Sequence, residues 1–108
     1  MHTLTATEIV HAIRSGSHSA RQITEAALNR ITEVNPRLNA ITDRCDTEAL
    51  ATADALDHAR AKGEPLPPMA GVPVTIKTIT DQAGHASTNG TRLNQHLIAT
   101  TDSPVVTN

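Results

Sequence analysis

The stretch Gly71–Thr91, GVPVTIKTITDQAGHASTNGT, decides how the rest of the chain is read. Its first part, VPVTIK, is β-branched and apolar on both faces apart from Thr75, a composition suited to a strand covered on both sides of a sheet. Pro73 places that strand near an edge or at its start. Lys77 closes the run, and a loop of Gly, Ser, Thr and Asn follows, with Asn89-Gly90 as its turn signal. A lysine at the end of such a strand has two readings. Ligand crevices form where strands of an α/β sheet end, so apolar surroundings there would lower the pKa of Lys77 and let its neutral amine act as a base. Alternatively, Lys77 snorkels its ammonium to water.

Upstream, the chain is helical. Thr5 and Glu8 form a capping-box spacing before Ile9, Val10 and Ile13, and Gly16 stops the segment. A second box, Ser19 and Gln22, precedes Ile23, Ala27, Ile31 and Val34, and Asn35-Pro36 is expected to end that helix. LNAITDRC, from Leu38, alternates imperfectly and reads as a short strand. DTEALATADALDHARAKG, from Asp46, is rich in Ala and Leu, has acidic residues at its start and basic ones at its end, and stops at Gly63. EPLPPMAG then crosses the surface with Pro65, Pro67 and Pro68. Asp102 or Ser103 caps a last helical turn begun by Pro104, with Val105 and Val106 on its apolar face. The expected organisation is a helical part, 1–63, and a strand and lysine-bearing loop part, 64–108, together the N-terminal portion of a larger α/β domain with a mixed sheet. A doubly covered strand needs neighbours that 108 residues scarcely provide.

Composition narrows the function. A formal charge of −2 with interspersed signs offers no footprint for nucleic acid or an anionic membrane. No apolar run approaches the roughly 20 residues that span a bilayer, and the N-terminus is amphipathic rather than signal-like, so a cytoplasmic location is expected. Aromatic content is 0%, which leaves Leu, Ile, Val and Ala to build a core and makes a self-sufficient one doubtful. The single cysteine, Cys45, reads as a small half-buried side chain. His2, His11, His18, His58, His85 and His96 include no pair at i, i+4 spacing, and no metal or other cofactor is expected. AGHASTNG and GTRLNQ match neither a phosphate loop nor a dinucleotide fingerprint, and no GxSxG elbow is present. Asp43, Asp46, Glu48, Asp54 and Asp57 read as solvated faces. Ser87, Thr88 and Asn89 read as turn polarity, with substrate contact as the other possibility.

PPMAGVPVTIKTITDQAGHASTNG resembles the stretch around the catalytic lysine of the amidase signature family. There a Gly-(Val or Ile)-Pro-(apolar) run leads to the lysine, then to an Asp and an Ala-Gly before a Thr- and Gly-containing turn. LIATTDSPVVTN resembles the segment that follows, and the helix hairpin, the NPRLNAIT strand and the Ala-rich helix match the family's upstream layout. The resemblance implies an α/β fold with a mixed central sheet and a Ser-(cis-Ser)-Lys site that hydrolyses small-molecule carboxamides. One serine attacks the carbonyl, the cis-peptide serine relays its proton, and the lysine accepts it. Only Lys77 carries over to this chain. Thr78 stands where members commonly have Asp, and His85 follows Gly84 where an apolar or aromatic residue is common. These departures bear on loop shape more than on the base.

The Gly-Ser-rich stretch bearing both serines is not among these 108 residues. The isolated chain is therefore expected to hydrolyse no amide above a Lys77→Ala control, as a fragment missing its C-terminal part. A homo-oligomer is open, as is the role of catalytic subunit in a glutamine-dependent amidotransferase or of a non-catalytic remnant or binding module.

Overall fold

A computed structural model describes residues 3–107 of the chain. It contains α1 (Ala6–Ser15), α2 (Ala20–Leu38), α3 (Asp46–Ala61) and a single turn, α4 (Pro104–Thr107). Two compact units divide between Pro73 and Val74.

The first unit is built by its caps. Thr5 accepts the Glu8 N–H, and the Glu8 carboxylate accepts both the Thr5 N–H, at 2.7 Å, and its hydroxyl, at 2.8 Å. Ser19 and Gln22 repeat the reciprocal pair at the start of α2, and Gly16 ends α1 in the left-handed region at φ 78. Orphaned helix-end donors are thereby satisfied before any tertiary contact is made. Ile9, Ile13, Ala20, Ile23 and Ala53 bury one face each of α1, α2 and α3, with Leu4, Leu56, Leu66 and Val72 packed against them. Among the described residues Ile13 is the one large side chain that is fully buried, so the core is small, as the absence of aromatics implies.

The α2–α3 pair is also tied by charge. Asp57 of α3 accepts the N–H groups of Ala20 and Arg21 at the α2 N-terminus, at 2.8 and 3.0 Å. Arg21 pairs with Asp54 across the helices at 2.7 Å and with Glu25 at 2.8 Å, and these carboxylates raise its pKa. The acidic residues read as solvated faces thus include two that position α2.

Two sequence expectations fail here. Asn35-Pro36 does not end α2: the helix runs through Pro36 to Leu38 and is capped by Asn39 at φ 50. The strand expected from Leu38 does not form either. The Asn35 side chain accepts the N–H groups of Ala40 and Ile41 and donates to the Ile41 carbonyl, all within 2.9 Å, so it consumes backbone groups a ladder would need. Arg44 then holds the connection, forking onto Asp46 at 2.9 and 2.6 Å and reaching the Thr32 hydroxyl at 3.0 Å.

The second unit holds no strand among its described residues. The run VPVTIK is irregular, and Val74 is 77% exposed and Ile76 38% exposed, against the expectation of a strand covered on both faces. A parallel or mixed ladder requires neighbouring strands, which these residues lack, so the β-branched pattern goes unused. What orders this unit is a clasp between 84–87 and 97–99. Gly84 N–H donates to Ala99 O, Ala99 N–H to His85 O and Ser87 N–H to Leu97 O, at 2.9 to 3.0 Å, around an antiparallel bridge of Ala86 and Ile98. Asn89 and Gly90 both take positive φ, and Thr91 N–H closes that turn on Thr88 O at 2.9 Å. No helix among the described residues is long and apolar enough to cross a membrane.

Candidate functional site

Lys77 lies in the second unit, exposed, at the start of a turn that its own carbonyl closes by accepting the Thr80 N–H at 2.8 Å. Its ammonium has no hydrogen bond or ion pair among the described residues.

The chain after Lys77 is held by side chains that sequence reading weighs differently. Ser87 is 4% exposed, and its hydroxyl donates to the Asp81 carboxylate. An enclosed, engaged hydroxyl is a tie rather than a nucleophile or a substrate contact. The Asp81 carbonyl accepts the Ser103 N–H at 2.9 Å, and the Asp102 carboxylate accepts the Ala83 N–H at 2.7 Å. Of the two candidate caps for α4, Asp102 turns its side chain back to Ala83 instead, and the first turn of α4 closes on the Ser103 carbonyl, which accepts from Val106 and Thr107. Thr88 serves the turn, its hydroxyl accepting the Gly90 N–H and its carbonyl accepting the Thr91 hydroxyl, while Asn89 is exposed at the apex. Sequence reading misses the Asp81–Ser87 pair; its one signal is a Ser and an Asp six positions apart inside the quoted stretch, a spacing with no local signature.

Cys45, His58 and a groove along two helices belong to the first unit. Cys45 occupies the cap position of α3 without a side-chain cap bond. Burial and the neighbouring charges of Asp43, Glu48 and Asp46 push its thiol pKa up, which disfavours the thiolate a nucleophile requires. His58 faces the Asp54 carbonyl at 2.7 Å on its own helix. A groove lined by Glu25, Leu28, Asn29, Thr32, Arg44, Asp46 and Leu50 lies along α2 and α3, and its hydroxyl, that of Thr32, donates to the Leu28 carbonyl and accepts from Arg44.

The family model described as Amidase matches residues 22–108, well over half of the chain. The indoleacetamide hydrolase of Bradyrhizobium diazoefficiens is 47% identical over 95% of this chain and 20% of its own length. A glutamyl-tRNA(Gln) amidotransferase subunit from Alkalilimnicola ehrlichii is 41% identical over 98% of this chain and 22% of its own length. A solved structure of a vestigial protein complex, which bears on the origins of an s-triazine catabolic enzyme, superposes with a TM-score of 0.92 at 39% identity, over 96% of this chain and 23% of that one. The chain thus spans about a fifth of the length of the curated relatives it matches.

Proposed function

Because the chain belongs to the amidase signature family, we propose that it is the lysine-bearing part of a carboxamide hydrolase that cleaves the C–N bond by a Ser-(cis-Ser)-Lys mechanism. Lys77 is the proton acceptor. The observation that carries this reading is that the family match runs through Lys77 and its loop to residue 108. Supporting it, Lys77 stands at the start of a hydrogen-bonded turn, its carbonyl accepting the Thr80 N–H at 2.8 Å, within the stretch that the family match covers.

In the proposed cycle a serine hydroxyl attacks the amide carbon and its proton passes through the relay serine to the Lys77 amine. The tetrahedral species collapses with loss of the amine, which takes up a proton, and water then releases the acid. The two serines lie in sequence other than these 108 residues, and the mixed sheet of the whole domain is where VPVTIK would find its ladder partners.

A second reading keeps Lys77 in the same role within the catalytic subunit of a glutamine-dependent amidotransferase, and the 41% identity to an amidotransferase chain favours it. Ammonia release from indole-3-acetamide and from glutamine, measured on the polypeptide as its gene produces it, separates the two. Turnover of the simple amide without a partner supports the hydrolase. Glutaminase activity that appears only with a partner subunit supports the amidotransferase, and neither activity would overturn both.

A further inference from the structure

We infer that the Asp81–Ser87 hydrogen bond is a positioning device for Lys77, fixing the turn that carries the lysine so that its amine meets the reacting atoms in one orientation. The inference rests on Lys77 being the proton acceptor and adds two residues that need not touch substrate.

The ties converge on Asp81. One closed turn, Thr80 N–H to Lys77 O at 2.8 Å, joins the lysine to it. Its carboxylate accepts the hydroxyl of Ser87, whose own N–H is anchored on Leu97 O at 3.0 Å. Its carbonyl accepts the Ser103 N–H at 2.9 Å, and two residues on, Ala83 is held by Asp102 at 2.7 Å. The lysine-bearing turn is thus bound at a single residue both to the clasp at 84–99 and to the segment 102–103. Ser87 is 4% exposed, and its hydroxyl finds its partner in the Asp81 carboxylate, so losing that bond costs more than losing a tie that exchanges freely with solvent. A turn of polar residues without such an anchor samples many conformations. Proton transfer is sensitive to that freedom, because a misplacement of about 1 Å costs about 100-fold in rate.

The test uses the polypeptide as its gene produces it, indole-3-acetamide as the probe, and amide hydrogen exchange at Thr80 as a readout independent of turnover. Ser87→Ala and Asp81→Ala are expected to lower kcat by about 10- to 100-fold with KM within about twofold, and to speed Thr80 exchange. Asp81→Asn, which still accepts the hydroxyl, is expected to stay within about threefold of the parent in kcat and to keep Thr80 protected. A rise in KM at unchanged kcat, or Asp81→Asn behaving as Asp81→Ala, overturns the positioning role. Lys77→Ala separates the two claims. If that variant hydrolyses normally the base reading fails, and Thr80 exchange alone decides whether the tie holds the turn: faster exchange in Ser87→Ala sustains it, and unchanged exchange overturns it.

Discussion

Gly71 stands at the head of the stretch that carries the lysine, and its backbone leaves no room for another residue. It takes φ +74, and a Cβ there would lie 2.3 Å from Ile13 Cδ1, the tip of the one large side chain that is fully buried among the described residues, and 3.2 Å from Ala20 Cβ. Conformation and crowding act in the same direction, so Gly71→Ala is expected to destabilise the first unit by about 2 kcal/mol or more, measured as a fall in the denaturant midpoint. Cys45 gives a second residue-level expectation. With its pKa raised by burial and by Asp43, Glu48 and Asp46, the folded chain holds the thiol proton. Alkylation of Cys45 at neutral pH should therefore be slower than that of a free thiol, and should reach the free-thiol rate when the chain is denatured. Equal rates in both states would show that these neighbours do not suppress the thiolate.

At the scale of elements, the caps set what each segment becomes. The Thr5 N–H and hydroxyl hold the Glu8 carboxyl below the usual carboxylate range. A depressed folded-state pKa contributes stability that is present above the unfolded value and is lost as pH falls through the folded one. The helical content of α1 should accordingly decline as pH falls below the ordinary carboxylate range, and Glu8→Gln should flatten that decline, followed by circular dichroism. Asn35→Ala should release the N–H groups of Ala40 and Ile41 and fray the last turn of α2, at a cost of about 1 kcal/mol. The helix starts are legible in the sequence because a capping box joins residues three apart, a distance a sequence displays directly. Asn35 misleads for the complementary reason: beside Pro36 it looks like a stop, and only folded does its side chain reach five and six residues on to take up the backbone N–H groups of the supposed strand. VPVTIK has a strand's composition, yet a ladder is made by neighbours, and composition cannot provide them. Lys77 is legible through the motif around it, whereas the Asp81–Ser87 tie, six residues apart in a loop, has no periodicity to reveal it.

For the molecule as a whole, the small core and the exposed apolar side chains of the second unit belong together. Val74, Ile79, Leu97, Ile98 and Val105 are each about half exposed or more, and no aromatic residue compensates in the interior. The 108 residues by themselves should therefore melt broadly and bind a hydrophobic dye in the native state, because the unit lacks the buried area a cooperative transition requires. A single sharp calorimetric transition without dye binding would contradict this. The family match runs through Lys77, and the proposal that this lysine is the proton acceptor rests on that match. The most direct test is the rate of ammonia release from a carboxamide by the polypeptide as its gene produces it, compared with its Lys77→Ala variant. A loss of about 100-fold or more in kcat, with the fold retained, is the result predicted for a general base. Hydrolysis that continues in Lys77→Ala within a few-fold of the parent would contradict the assignment.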